Sequence, residues 1–81
     1  MDLVKLTEYL VKSVAKNADM VSVKQFEDEE EYSTIQVLVD ESDMGAVIGK
    51  SGVTASAIRT IVQASARNNN LKKVKINIDS F

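Results

Sequence analysis

Two glycines, Gly49 and Gly52, enclose Lys50 and Ser51 in the stretch Val47-Ile48-Gly49-Lys50-Ser51-Gly52. No other part of this chain carries so much chemical information. Glycine reaches positive φ without a Cβ clash, so two of them this close predict a very tight turn. Val47 and Ile48 precede the turn, and Ile58 and Ile61 follow it at helical spacing. The turn therefore joins two helices. It exposes bare backbone, one cation and the amino end of the second helix. Backbone N–H groups and the helix dipole both favour an anion there, and a phosphate is the natural ligand.

The elements that must position this turn follow from periodicity. In Asp2 to Ala18, Leu3, Leu6, Leu10 and Val14 recur at helical spacing with Val4 and Val11 beside them, which predicts a helix with one buried stripe. Glu8 and Lys12 form a favourable i,i+4 pair on its outer side. Met20 to Phe26 is short and β-prone. Glu27 to Glu31 is an acidic run that fits a solvated hairpin tip. From Tyr32 to Asp40, Ile35, Val37 and Val39 alternate with Gln36 and Leu38, which predicts a second strand. Asp40, with Asp43 three residues on, is a candidate cap for a short helix from Met44 to Ile48. A longer helix is expected from Val53 to Arg67, with Ile58, Ile61 and Val62 on its apolar side. Asn68 to Asn70 ends it. Lys72 to Asp79 alternates again, with Val74, Ile76 and Ile78 inward.

The order is α-β-β-α-α-β. Adjacent strands with a short tip pair antiparallel, and a strand returning after helices pairs parallel by a right-handed crossover. The expected fold is a mixed three-stranded α/β sheet covered on one face by three helices, with residues 1–81 as one domain.

Composition narrows the function. The chain has no cysteine and no histidine, so a thiolate zinc site and the commonest general base are both unavailable. No Ser/His/Asp or Cys/His set exists for nucleophilic catalysis. The acidic run lacks the glycine and asparagine positions of a calcium loop. Gly49-Lys50-Ser51 imitates the end of a nucleotide-binding P-loop, but Met44 stands where that motif requires glycine. No enzyme, cofactor, metal or small-molecule substrate is expected. No apolar run approaches the roughly 20 residues that span a bilayer. The opening residues lack a basic segment before an apolar one, so a cytoplasmic location is expected.

The net charge is −2, yet the charge is unevenly placed. Residues 1–40 hold nine acidic and four basic side chains, and residues 41–81 hold three acidic and six basic. The half with the glycine turn is the basic half, and local potential governs anion capture. Arg59, Arg67, Lys72, Lys73 and Lys75 form a candidate patch beside Lys50. Tyr9, Phe26, Tyr32 and Phe81 are scattered along the chain and suggest no stacking platform.

Val47-Ile48-Gly49-Lys50-Ser51-Gly52, followed by Ile58 and Ile61, resembles the core signature of the KH domain. Gly49-Lys50, Gly52, Thr54, Ala57-Ile58-Arg59-Thr60 and Ala64 stand where the pattern of the KhpA family puts them. Motif, length and element order together resemble the small bacterial proteins of the KhpA family. That resemblance implies a type II KH fold and a non-enzymatic protein that binds single-stranded RNA with little sequence preference, as an RNA chaperone or post-transcriptional regulator. It places the RNA against Ile48, Gly49, Lys50, Ser51, Gly52 and Arg59, with Asn69, Asn70, Lys72 and Lys73 along the rim. It also implies a homodimer, or a heterodimer with a second KH-containing protein. The chain departs from the family pattern at Val53 and Ser56, where more positive charge is expected. Val53 and Ile61 fall on one side of the second helix, while Thr54, Ala57 and Ile58 can fill its inward side. The two residues are then candidates for a dimer contact, with Ile61 in the core as the competing assignment. The alternative function is a protein-interaction module that keeps the fold but has little RNA affinity.

Overall fold

The computed structural model describes residues 2–27, 32–68 and 73–81. Helix α1 runs Leu3–Val14, strand β1 Ser22–Glu27 and strand β2 Tyr32–Val39. Helix α2 is Met44–Ile48, helix α3 Val53–Asn68 and strand β3 Lys73–Ser80. Single 3-10 turns cover Ala18–Met20, Glu41–Asp43 and Lys50–Gly52. The sheet order is β1-β2-β3, with β1 antiparallel and β3 parallel to β2. Element order and pairing match the expectation. Asn69, Asn70 and Lys72, and the acidic residues 28–31, lie outside the described residues.

Helix α1 starts at Asp2, whose carboxylate accepts the N–H groups of Val4 and Lys5 at 3.0 and 3.2 Å. This is the usual way to satisfy orphan donors at a helix start. The Lys12 ammonium donates to Glu8 at 2.9 Å, as their spacing predicts. The helix stops at Val14, short of the expected Ala18, because Ala15 turns to extended backbone. Its buried stripe also differs from the expected one. Leu3, Thr7 and Val11 are buried, Leu6 and Leu10 are half-buried, and Val14 is exposed. A buried threonine is tolerated because its hydroxyl donates to the Leu3 carbonyl at 2.8 Å, so that its polar group is not left unpaired in the core.

Asp43 is a correction to the capping assignment. Asp40 does cap the 3-10 turn, accepting the Ser42 N–H. The Asp43 carboxylate reaches back across the chain instead, accepting the N–H groups of Asn17 at 2.8 Å and Lys16 at 3.0 Å. It is 97% buried by surface area, with only 3% of the residue exposed. The Asn17 hydrogen bond, helped by that from Lys16, holds its carboxyl below the ordinary range, against the opposing effect of burial. Asp43 thus ties the end of α1 to the start of α2.

Ile35, Val37 and Val39 of β2 and Val74 and Ile76 of β3 are buried beneath α1 and α3. From α3 the core receives Ala55, Ile58, Val62 and Ala66. Of the expected inward residues Thr54, Ala57 and Ile58, Ile58 is buried and Thr54 half-buried, while Ala57 is exposed and Ala55 takes its place. Among the described residues, the other face of the sheet carries no helix. Its register sets Phe26 and Lys75 on either side of Thr34, and Lys73 beside Tyr32. Phe26 and Tyr32 are then diagonal neighbours on one face, close enough for aromatic side chains to share a surface. The expectation that the aromatics are scattered holds for Tyr9 and Phe81 but not for this pair.

Candidate nucleic-acid interface

The sequence Gly49 to Gly52 folds into one 3-10 turn between α2 and α3. Gly49 has φ 79° and ψ 169°, a region open almost only to glycine. A Cβ there would also stand 2.8 Å from the Thr54 backbone nitrogen. Gly52 has φ 78° but open space around it. Ser51 adopts φ 57°, a left-handed conformation that its type alone does not announce. The two glycines are thus required to different degrees. Gly49→Ala is expected to cost about 3 kcal/mol, from a forbidden conformation plus a backbone clash. Gly52→Ala faces only the left-handed penalty, about 1–2 kcal/mol. Thermal unfolding of the two variants checks the order, with Gly49→Ala lowering Tm by more than about 10 °C.

The Gly49 N–H donates to the Gly45 carbonyl at 2.8 Å, closing α2, and the Gly52 N–H donates to the Gly49 carbonyl at 3.1 Å. Lys50 and Ser51 form the exposed outer bend. Val47 is fully buried, and Ile48, beside the turn, is half-buried.

Helix α3 leads from the turn along the free edge of β3. Edge strands present unpaired carbonyls, and two side chains one helical turn apart cover them here. The Arg59 Nε donates to the Ile76 carbonyl at 3.2 Å, and the Gln63 amide donates to the Val74 carbonyl at 3.2 Å. Arg59 is therefore anchored to the strand. Gln63 was not among the expected site residues; its i,i+4 spacing from Arg59 was the available clue. Further along, Tyr32, Lys73 and Lys75 from the sheet and Gln63 and Arg67 from α3 line an open cavity of about 380 Å³. The Lys75 ammonium lies 4.8 Å from the centre of the Tyr32 ring. The structure thus places Ile48, Lys50 and Ser51 at the turn, Arg59 on α3 against β3, and Lys73 at the start of β3 near the end of α3.

On the solvent side of α3, Val53 is 66% exposed and Ile61 45% exposed. Ala57, also exposed, lies between them. Their i, i+4, i+8 spacing makes one apolar stripe. Ile61 is consequently a surface residue and not part of the core, although its spacing from Ile58 suited an inward position.

An α-β-β-α-α-β unit with a mixed three-stranded sheet and a Gly-x-x-Gly turn between its paired helices is a KH domain of type II. Residues 4–78 match the family described as KhpA/KhpB, KH domain. The chain belongs to that family. The RNA-binding protein KhpA of Streptococcus pneumoniae is 41% identical over 70 residues, covering 86% of this chain and 85% of the relative. The RNA-binding protein KhpA of Clostridium perfringens is 40% identical over 74 residues, covering 91% and 96%. That of Borreliella burgdorferi is 35% identical over 75 residues, covering 93% and 89%. Among solved structures, Era in complex with MgGDPNP and nucleotides 1506-1542 of 16S ribosomal RNA superimposes with a TM-score of 0.68 at 15% identity. The match covers 96% of this chain and 29% of that one. At that identity the likeness is one of fold alone. Among the described residues, no helix is long and apolar enough to cross a membrane.

Proposed function

We propose that this chain is a non-enzymatic, cytoplasmic protein that binds single-stranded RNA as one domain over residues 1–81. The observation that carries the reading is the turn itself. Gly49 holds a backbone conformation open almost only to glycine, and Lys50 and Ser51 form the exposed bend that follows it. The N–H groups of Lys50 and Ser51 and the Lys50 ammonium take phosphate, since those of Gly49 and Gly52 already bond within the turn. Ile48 supplies an apolar floor, and Arg59, Asn69, Asn70, Lys72 and Lys73 flank the strand. The names of the KhpA relatives support the ligand.

Backbone contacts of this kind carry no sequence information, so preference among bases is weak. Such a protein suits the role of an RNA chaperone or post-transcriptional regulator. A single site of about four nucleotides binds modestly. The Val53–Ala57–Ile61 stripe therefore joins two copies, or this chain and a second KH-containing protein, and raises avidity by linking two sites.

Binding of a short single-stranded RNA measured against salt tests the ligand. A groove that neutralises two to four phosphates gives a slope of log K against log[salt] of about −1.5 to −3. A flat response, or no binding at low salt, would favour the protein-interaction reading.

A further inference from the structure

Four features meet where the groove ends and the uncovered face of the sheet begins. Arg67 closes the exposed side of α3 near its end. Lys73 and Lys75 project from β3 on the uncovered face, in register with Tyr32 and Thr34 of β2. The cavity of about 380 Å³ connects Gln63 and Arg67 on the helix with Tyr32 and the two lysines on the sheet. Tyr32 itself remains 36% exposed, although Lys75 stands over its ring. The cavity thus opens at once onto the groove beside α3 and onto an aromatic ring on the opposite side of the edge strand.

We propose that Tyr32 is a base-stacking subsite for the nucleotide that leaves the groove at the α3 end, so that a bound single strand wraps around the edge of β3. The inference rests on the reading of the groove given above. Three cations, Arg67, Lys73 and Lys75, supply the charge that a phosphodiester needs to turn that corner. An aromatic face accepts any base, because every base has a π-face. The cavity falls within the size range of small-molecule sites, which a single nucleobase fits. A base stacked on Tyr32 displaces the Lys75 ammonium from the ring and frees it to meet the phosphate of the same nucleotide.

The chain has two tyrosines and no tryptophan. In a Tyr9→Phe protein, Tyr32 is the sole intrinsic fluorophore of consequence, and Tyr9 lies on α1 with 70% of its surface exposed. Titration of that protein with a tetranucleotide and an octanucleotide of the same RNA base gives the direct test. The octanucleotide is expected to quench Tyr32 emission and the tetranucleotide to bind without quenching. In parallel, Tyr32→Leu is expected to weaken octanucleotide binding roughly 5-fold or more, the low end of a base–aromatic stack, and to leave tetranucleotide binding unchanged. The comparison is made at equal oligonucleotide length, so avidity from a dimer cancels. Octanucleotide binding with unchanged Tyr32 emission overturns the subsite and leaves the groove intact. Tetranucleotide that fails to bind the parent protein overturns the groove reading and the subsite with it. Emission that changes with protein concentration, and not with oligonucleotide, assigns the face to a protein contact and overturns the subsite as well.

Discussion

Replacing Lys50 and Ser51 together by aspartate is expected to weaken single-stranded RNA binding by more than about 30-fold, with the fold intact. The size of the effect follows from charge. The double change removes the cation on the outer bend of the turn and sets two carboxylates where the phosphates would lie. Like charges facing each other across a contact cost several kcal/mol, enough for that loss. Stability should hardly move, because both side chains are exposed, and such surface changes cost under about 1 kcal/mol. The local geometry even suits the new residues. Ser51 sits at φ 57°, where aspartate is one of the few types found regularly. Both positions also precede α3 directly, where negative charge is favoured by the helix dipole. Filter binding or anisotropy gives the affinity, and circular dichroism reports the fold. A double variant that binds RNA like the parent would remove the turn from the site.

The second large effect concerns assembly. Ile61→Asp is expected to raise the dissociation constant of the proposed dimer by about 30-fold or more, since a charge placed in the centre of a desolvated contact acts like the loss of a hot spot. The stripe of Val53, Ala57 and Ile61 is self-complementary if two α3 helices meet across a two-fold axis. Ile61 is 45% exposed in the single chain, so the substitution leaves the core of Ile58, Val62 and Ala66 untouched. Sedimentation velocity should show a shift to monomer with helical dichroism retained. A parent protein that sediments as a monomer at high micromolar concentration would rule out self-association and leave the second KH-containing protein as the partner. Coupled to the first prediction, the monomeric variant should retain binding to a tetranucleotide and lose avidity only on RNA long enough to span two sites.

Much of this molecule is legible in the order of its residues. Alternation in Tyr32 to Asp40 and Lys72 to Asp79 reports strands because successive side chains leave a sheet on opposite faces. The glycine pair reports a turn because few other residues reach those backbone angles. Local rules of this kind need no knowledge of what lies across the core. Periodicity failed where two stripes compete on one helix. Ile58 and Ile61 share spacing, yet Ile58 is buried and Ile61 is not. The direction in which α3 presents its side chains is fixed by the sheet beneath it, and that sheet is assembled from strands on both sides of α3 in the chain.

The sequence by itself determined the element order, the tight turn with its single cation, and the absence of cysteine and histidine. These depend on residue type and near-neighbour spacing. Only the tertiary structure decided that Asp43 clamps the end of α1, that Arg59 and Gln63 cover the free carbonyls of β3, and that Phe26 and Tyr32 share a face with Lys75. Each of these joins groups from separate elements. Their meeting is set by strand register and by how α1 and α3 pack on the sheet, and no local pattern in the chain encodes either one.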